Sequence, residues 1–239
     1  YGARHFHFTD ESYPPALFRK LTRGLIDSKM GIAWTTHMRF EKSLLEDQVW
    51  QDAKASGCKY LHFGYESGNE RVLKLMDKAT TTEIMTKHLK YTAEAGIWNH
   101  CMGFFGFPGE TREEAWSSVE FLEQNKDYVH SLGFGTFDLG RHNPVAKHPE
   151  KFGVTAYKNP EWDLALDYYF TVKQGLSIEE AERVFEEFER NHNPGWDLRL
   201  FIREYIFLYI AQFGLQKLPD LQFRSARVAT VPPSLAGKM

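Results

Sequence analysis

Polar side chains follow several short apolar segments of this 239-residue chain, at the points where each segment ends. The stretch HFGYESGNERVL, residues 62–73, first alternates apolar and polar residues and then runs into a carboxylate, a hydroxyl, a glycine and an amide. The polar residues that end this segment and its neighbours include Asp10, Glu11, Arg39, Glu66 and Ser67. Carboxylates accept hydrogen bonds from ammonium and hydroxyl groups, and an arginine binds a carboxylate. Together these residue types suit a ligand that carries an amine, a carboxylate and hydroxyls.

A glycine-rich stretch, GFFGFPGET at residues 103–111, ends a further apolar segment. Its backbone can approach a ligand closely, because glycine has no side chain. Structural explanations stay open for these residues. The glycines also suit a tight turn, Asn69 suits the N-cap of a helix, and acids such as Asp10 and Glu110 near helix starts compensate the helix dipole.

Histidines form a second candidate set, because five of them fall on predicted strands: His5, His7, His37, His62 and His100. Residues two apart on a strand share a face, so His5 and His7 present two imidazoles on one side. Paired strand histidines can ligate a catalytic metal. A metal-dependent hydrolase is therefore an alternative function, with His100 and Asp138 as further ligands. We favour the competing interpretation, in which the histidines line a polar interior and no residue binds a metal.

These residues are positioned by a repeated unit of a short apolar strand and an amphipathic helix. Strands are predicted at 4–9, 32–39, 59–66, 98–106 and 130–139, and helices at 14–29, 43–55, 70–77, 82–95 and 112–125. Strand starts recur at about 30 residues, the spacing of βα units with parallel strands. Five strands are too few for a closed barrel of eight. The fold class is α/β, with an open partial barrel or a doubly wound sheet, and ligands bind such folds at the carboxyl ends of the strands.

Helix boundaries are marked in the sequence as well. Gly31, Gly57 and Gly96 follow three predicted helices, where glycine suits the left-handed residue that closes a helix. Four helix starts read S/T-x-x-E, the capping box: Ser43 with Glu46, Thr80 with Glu83, Thr111 with Glu114, and Ser177 with Glu180.

The pattern changes after Pro144. An irregular, proline-punctuated stretch leads into apparently helical sequence, with helices predicted at 162–174, 178–191 and 197–213. We therefore divide the chain into residues 1–155, an α/β portion, and residues 156–239, a helical C-terminal extension.

Composition excludes several classes of protein. The net charge of −3 gives no electrostatic footprint for nucleic acid or for an anionic membrane surface. No apolar run approaches the roughly 20 residues that span a bilayer. The two cysteines, Cys58 and Cys101, are too few for a disulfide framework, which predicts a cytoplasmic location.

The sequence resembles the C-terminal part of the radical S-adenosylmethionine core, and within it the subclass that often carries a cobalamin-binding domain. The matching stretches, in order, are FHFTDES, WTTHMRFE, GCKYLHFGYESGNERVLKLMDK, AGIWNHCMGFFGFPGET and GTFDLGRHNP with HPEKFGV, over roughly residues 4–154. The resemblance implies a partial, TIM-like (β/α)6 barrel of which this chain holds strands two to six. It also implies S-adenosylmethionine and a four-iron–four-sulfur cluster as cofactors, with cobalamin as a further one.

The resemblance assigns roles to the polar rim. Asp10 and Glu11 would hold the amino group of S-adenosylmethionine, and Arg39 its carboxylate. Glu66 and Ser67 would face the ribose hydroxyls or the methionine part. The backbone at residues 104–107, with Phe105 and Gly106 at its centre, would contact the adenine. No catalytic residue is identified.

This chain departs from the family in one respect. The family's first strand leads into three cysteines at C-x-x-x-C-x-x-C spacing that bind the cluster, and no stretch of this sequence matches them. We therefore predict the C-terminal part of a radical enzyme that acts on a small-molecule substrate, with the N-terminal part of the same protein as its partner. Methyl transfer through cobalamin is one expected outcome. A non-catalytic nucleoside-binding module is the second alternative.

Overall fold

The computed structural model describes residues 2–10, 12–158, 166–191 and 203–215. Its main sheet contains five parallel strands in chain order, β1-β2-β3-β4-β5, which confirms the predicted parallel α/β sheet. The strands are β1 (His5–Phe8), β2 (Ala33–Met38), β3 (Cys58–Glu66), β4 (Trp98–Phe105) and β5 (Ser131–Thr136). Within the described residues, β1 and β5 each pair with one strand only, so the sheet is open.

Five helices connect these strands and cover one face of the sheet. They are α1 (Pro15–Ser28), α2 (Asp47–Ala55), α3 (Glu70–Leu75), α4 (Thr82–Glu94) and α5 (Arg112–Gln124). The alternation in β3 sends Leu61, Phe63 and Tyr65 toward the helices, where they are fully buried. Trp50 of α2 and Phe121 of α5 belong to the same apolar cluster. The opposite face of the sheet, away from α1–α5, is called the inner face below.

Two of the four predicted capping boxes are confirmed. Thr111 caps α5 and exchanges hydrogen bonds with Glu114, and Ser177 does the same with Glu180. The Ser43 box is wrong, because Ser43 lies in a short 3-10 helix, Lys42–Leu44, and α2 begins only after Glu46. The Thr80 box is wrong by one residue, since Thr81 is the N-cap of α4.

A small antiparallel sheet follows the main sheet. Its strands are β6 (Leu139–Gly140), β7 (Val154–Lys158) and β8 (Asp167–Val172), in the order β6-β8-β7, and a short helix, α6 (Pro144–Lys147), lies between β6 and β7. The helix predicted at 162–174 is therefore wrong where the structure describes it. β8 pairs with β7, the strand directly before it, and with β6, and such pairing overrides a local helical pattern.

Two helices complete the described fold. α7 (Ile178–Asn191) confirms the helix predicted at 178–191, and α8 (Arg203–Phe213) confirms the described part of the helix predicted at 197–213. The proposed division at residue 155 stays a prediction. Within the described ranges, none of the helices is both long enough and apolar enough to cross a membrane.

α8 packs against the inner face at the amino ends of the strands. Ile206, Phe207 and Ile210 form one buried cluster with Ala33, Tyr60 and Trp98, which lie on β2, β3 and β4. The inner face is thus covered at one end. At the other end the strands run toward the rim that the sequence marks as the ligand site.

Candidate functional site

Glycines keep the inner face open toward the carboxyl ends of the strands. The parallel register aligns Gly64 with Met102 and Met102 with Gly133, and it aligns Phe104 with Gly135. A Cβ atom at Gly135 would have no neighbour within 4 Å, and one at Gly64 would meet only the Glu66 side chain. Gly64 and Gly135 therefore leave space for a ligand, whereas the His100 ring fills the position beside Gly133, where a Cβ would lie 2.9 Å from His100 Nε2.

Glu66 lies at the rim of this space on a distorted backbone. The register of β3 against β4 shifts between Gly64 and Glu66, and Glu66 has a φ of 62°, in the left-handed region that non-glycine residues rarely adopt. The side chain is about a quarter exposed and its Oε1 accepts a hydrogen bond from Lys78 Nζ at 3.0 Å. Lys78 was not recognised from the sequence, because it reaches the rim from beyond α3.

Ser67 lies on the other side of the strand end. Its side chain is fully buried, and its Oγ is 3.0 Å from Ser118 Oγ of α5. The same Ser67 oxygen accepts a bond from the Asn69 N–H, while the Asn69 side chain caps α3 by accepting from two backbone N–H groups. The Ser67 hydroxyl therefore fixes the loop to α5, and its contact with a cofactor stays a prediction.

Arg39 and Asp10 are exposed at the same edge of the sheet. Arg39 follows the end of β2, and its neighbours Met38 and Phe40 are buried. Among the described residues, no hydrogen bond or ion pair joins Asp10, Arg39 and Glu66 to one another, and Glu11 lies outside the described residues. The structure thus brings three of the predicted residues to one rim without direct contact between them.

Phe105, the last residue of β4, and Gly106, which follows it, have their side-chain positions turned away from the inner face. Phe105 is fully buried and its ring lies 5.7 Å from Phe188 of α7. Gly106 has a φ of 86°, and a Cβ there would lie 2.5 Å from Ala181 Cβ, so only glycine fits. Only the backbone of these residues can face a ligand at the rim.

Glu110 holds the backbone at Gly106 in place. The carboxyl is fully buried, and its Oε2 accepts a bond from the Gly106 N–H at 2.6 Å, while Oε1 has no hydrogen-bond partner among the described residues. Burial raises the pKa of Glu110 to about 7, although the bond from Gly106 opposes that rise. The sequence indicated only an acid near a helix start, and burial of this kind depends on packing that a sequence pattern does not show.

Arg71 links the two loops at the rim. Its guanidinium binds both carboxylate oxygens of Glu114 and donates to the Gly109 carbonyl at 2.6 Å. The hydrogen bond from Arg71 is the main cause that lowers the pKa of the Glu114 carboxyl. Arg71 therefore connects the start of α3 with the glycine-rich loop.

The five candidate histidines lie on β1–β4, and all five are in ring contact with one another or with α8. His5 makes an edge contact with Phe207 of α8, whereas His7 stacks on His37 and His62. Across the part of the chain that the structure describes, no group of three or more His, Cys, Asp or Glu residues is arranged to hold a metal ion.

The two cysteines do not fit a cluster site. Cys58 and Cys101 are fully buried on neighbouring strands within the helix-facing core. Burial raises the pKa of the Cys58 thiol to about 12 and raises that of Cys101 as well. Thiolates that bind iron must be deprotonated and must converge on the metal, and these thiols meet neither condition.

Comparison with known proteins gives a consistent picture. The model of the Radical SAM superfamily matches residues 7–122. A protein of Pyrococcus horikoshii named "Uncharacterized methyltransferase PH0819" is 29% identical over 128 residues, which are 52% of this chain and 27% of that protein. The cytidylyl-2-hydroxyethylphosphonate methyltransferase of Streptomyces wedmorensis is 27% identical over 211 residues, which are 82% of this chain and 38% of that protein.

A solved structure supports the fold. The radical S-adenosylmethionine methyltransferase TsrM from Kitasatospora setae, solved with cobalamin and an iron–sulfur cluster bound, superimposes with a TM-score of 0.57 at 18% identity. The superposition covers 77% of this chain and 38% of TsrM. The chain therefore has the partial TIM-like barrel, and it spans well under half the length of each of these three proteins.

Proposed function

We propose, from the match of the Radical SAM superfamily model to residues 7–122, that this chain is a radical S-adenosylmethionine protein and that it binds S-adenosylmethionine at the carboxyl ends of β1–β5. The supporting observation is the space on the inner face: Gly64 and Gly135 leave room beside a rim that carries both signs of charge. A dipolar nucleoside has an ammonium, a carboxylate and hydroxyls, and each finds a complementary group there.

Each rim residue takes one part of the ligand. Asp10, with Glu11, accepts from the ammonium group, and Arg39 pairs with the carboxylate. Glu66 accepts from the ribose hydroxyls, and Lys78 holds its carboxylate in position. Ser67 orders the same loop through Ser118. The backbone of Phe105 and Gly106, fixed by Glu110, lines the adenine.

We further propose that the whole protein is a methyltransferase, with cobalamin as a second cofactor. The relatives named as methyltransferases and the cobalamin-bound TsrM support this proposal. When bound, S-adenosylmethionine supplies a methyl group or, after one-electron reduction, a carbon radical. The residues of this chain orient the cofactor and the small-molecule substrate, so that reacting atoms are held in productive geometry.

The cluster ligands of the proposed enzyme lie outside this chain. Cys58 and Cys101 do not fit the role, and the matched relatives are more than twice as long as the matched segment. We propose that another part of the same protein supplies three cysteines and the first strand of the barrel, next to β1. If the whole protein lacks such cysteines, a nucleoside-binding module without radical chemistry is the second candidate.

Calorimetric titration with S-adenosylmethionine tests the proposed site. The substitution Glu66→Gln removes the charge and keeps the shape of the side chain. We expect the affinity for S-adenosylmethionine to fall about ten- to hundredfold, because a charge-assisted hydrogen bond contributes that much to binding. Glu83→Gln is the matched control, because Glu83 is also paired with a lysine, Lys87, but on the exposed surface of α4. Equal affinity in wild type and Glu66→Gln, or no binding by wild type, would contradict the assignment.

A further inference from the structure

The glycine-rich loop after β4 is a tight turn that Glu110 holds at both ends. The Phe107 carbonyl accepts a hydrogen bond from the Glu110 N–H at 2.8 Å, and Gly109 within the turn has a φ of 90°. The Glu110 carboxyl accepts from the Gly106 N–H at 2.6 Å. The shape of the loop, residues 106–110, is therefore defined by contacts on its buried side.

The connection between β8 and α7 lies directly against this loop. Gly175 has a φ of 92°, and a Cβ there would lie 2.6 Å from the Glu110 carbonyl oxygen and 2.8 Å from the Gly109 carbonyl carbon. Both are backbone atoms, which cannot turn aside as the end of a long side chain can. The next residue, Leu176, donates its N–H to the Glu110 carbonyl at 2.8 Å. The two segments thus touch backbone to backbone.

α7 adds a second contact on the same side of the loop. A Cβ at Gly106 would lie 2.5 Å from Ala181 Cβ, so the small size of both residues allows the helix and the loop to meet. Further along α7, the Phe188 ring lies 5.7 Å from the Phe105 ring. Residues 175–188, called the β8–α7 segment, therefore cover the side of the loop that faces away from the inner face.

Glu110 is a weak anchor for the loop without this segment. Its carboxyl is fully buried, and its Oε1 has no hydrogen-bond partner among the described residues. A buried and only partly bonded carboxylate is unfavourable, and burial raises the pKa of Glu110 to about 7. Close packing from behind supplies a constraint that does not depend on this charge.

We propose that Gly175 and Ala181 are positioning residues of the S-adenosylmethionine site, because the β8–α7 segment holds the glycine-rich loop in the shape in which its backbone meets the adenine. The inference rests on the proposed function, which places the adenine at this loop. It assigns a part in cofactor binding to a segment outside residues 7–122, the range that matches the family model.

Gly175→Ala and Gly153→Ala form a matched pair that tests the inference. Both glycines have a positive φ, so both substitutions place an L-residue in a strained conformation. A Cβ at Gly153, however, would meet only Lys173 Cβ, at 3.9 Å. We therefore expect Gly175→Ala alone to displace the loop.

Calorimetric titration measures the consequence with two probes, S-adenosylmethionine and 5′-methylthioadenosine, which carries the adenosine part alone. Gly175→Ala should weaken the binding of both probes by the same factor, about five- to tenfold, the value of one or two backbone hydrogen bonds. Gly153→Ala should bind both probes as wild type does. An equal loss for both probes locates the defect at the adenine, which a general loosening of the fold would not do.

Ala181→Val and Ala53→Val form a second pair, which also serves if Gly175→Ala does not fold. Both alanines are buried on helices, but Ala53 of α2 belongs to the main core instead of facing the loop. Urea unfolding establishes that both variants are folded. Ala181→Val should then lose affinity for the two probes as Gly175→Ala does, whereas Ala53→Val should not.

Amide hydrogen exchange without ligand gives an independent readout. The amides of Gly106 and Glu110 should exchange faster in Gly175→Ala and Ala181→Val than in the two controls. Binding to wild type with equal affinities within each matched pair would overturn the inference and leave Gly175 and Ala181 with a packing role. No binding of S-adenosylmethionine by wild type would refute the proposed cofactor site, and the exchange rates would then decide alone whether the segment holds the loop.

Discussion

At the scale of single residues, Glu110 makes the stability of the fold depend on pH. Its pKa rises from 4.5 to about 7 because the carboxyl is buried. The folded state therefore holds a proton that the unfolded state releases between these values. The contribution of Glu110 to stability is fully present below pH 4.5 and is lost as pH rises through about 7.

We expect Glu110→Gln to remove this dependence. Each pKa unit corresponds to about 1.4 kcal/mol, so the wild-type free energy of unfolding should fall relative to the variant by roughly 2–3 kcal/mol between pH 5 and pH 8. Urea unfolding at several pH values measures the difference. Glu113→Gln, at an exposed position three residues away on α5, should give a profile parallel to wild type. If the free energy of unfolding of Glu110→Gln also ran parallel to that of wild type across this pH range, the pKa of Glu110 would not be raised in the folded state.

At the scale of elements, the sequence predicted the main sheet closely and failed for the small antiparallel sheet. All five strands and the five helices between them lie within a few residues of the predicted ranges. Their signals are local: alternating apolar residues, and glycines such as Gly57 and Gly96, both with positive φ after a helix. β8 was mistaken for helix because its partners, β6 and β7, are identified only by the folded topology.

Gly68, in the loop after β3, and Gly135, in β5, differ in the space around them, and this difference gives a prediction at the scale of elements. A Cβ at Gly68 would lie 2.3 Å from the Tyr65 hydroxyl and 2.7 Å from Phe121 Cβ, so the loop after β3 is pressed against α5. We expect Gly68→Ala to destabilise the fold by about 1–3 kcal/mol or more, as overpacking does. Gly135→Ala, where a Cβ would meet no atom within 4 Å, should change the free energy of unfolding by less than about 1 kcal/mol. Urea unfolding compares the two, and equal effects would refute the close packing of the loop.

At the scale of the whole molecule, the sheet edge that carries the candidate residues could be predicted, but the contacts of those residues could not. Parallel strands end at one edge, so Asp10, Arg39 and Glu66 were expected on a common rim, and the structure places them there. The pairing of Glu66 with Lys78 and the anchoring of Ser67 on α5 depend on how loops pack against helices. Contacts of this kind leave no periodic pattern in the sequence, and the sequence therefore did not predict them.

The proposed division of an enzyme between this chain and another part of the same protein leads to the last prediction. Anaerobic reconstitution with iron and sulfide should leave these 239 residues without the visible absorbance of an iron–sulfur cluster and without 5′-deoxyadenosine production. The reason is that both cysteines are buried on adjacent strands in protonated form, whereas cluster ligands must converge as thiolates. A variant with Cys58→Ala and Cys101→Ala is the matched control, and its iron content should equal that of the unchanged chain. A cluster that forms in the unchanged chain, disappears in this variant and supports turnover would show that the two thiols can leave the core, and the proposed division of the enzyme would then be wrong.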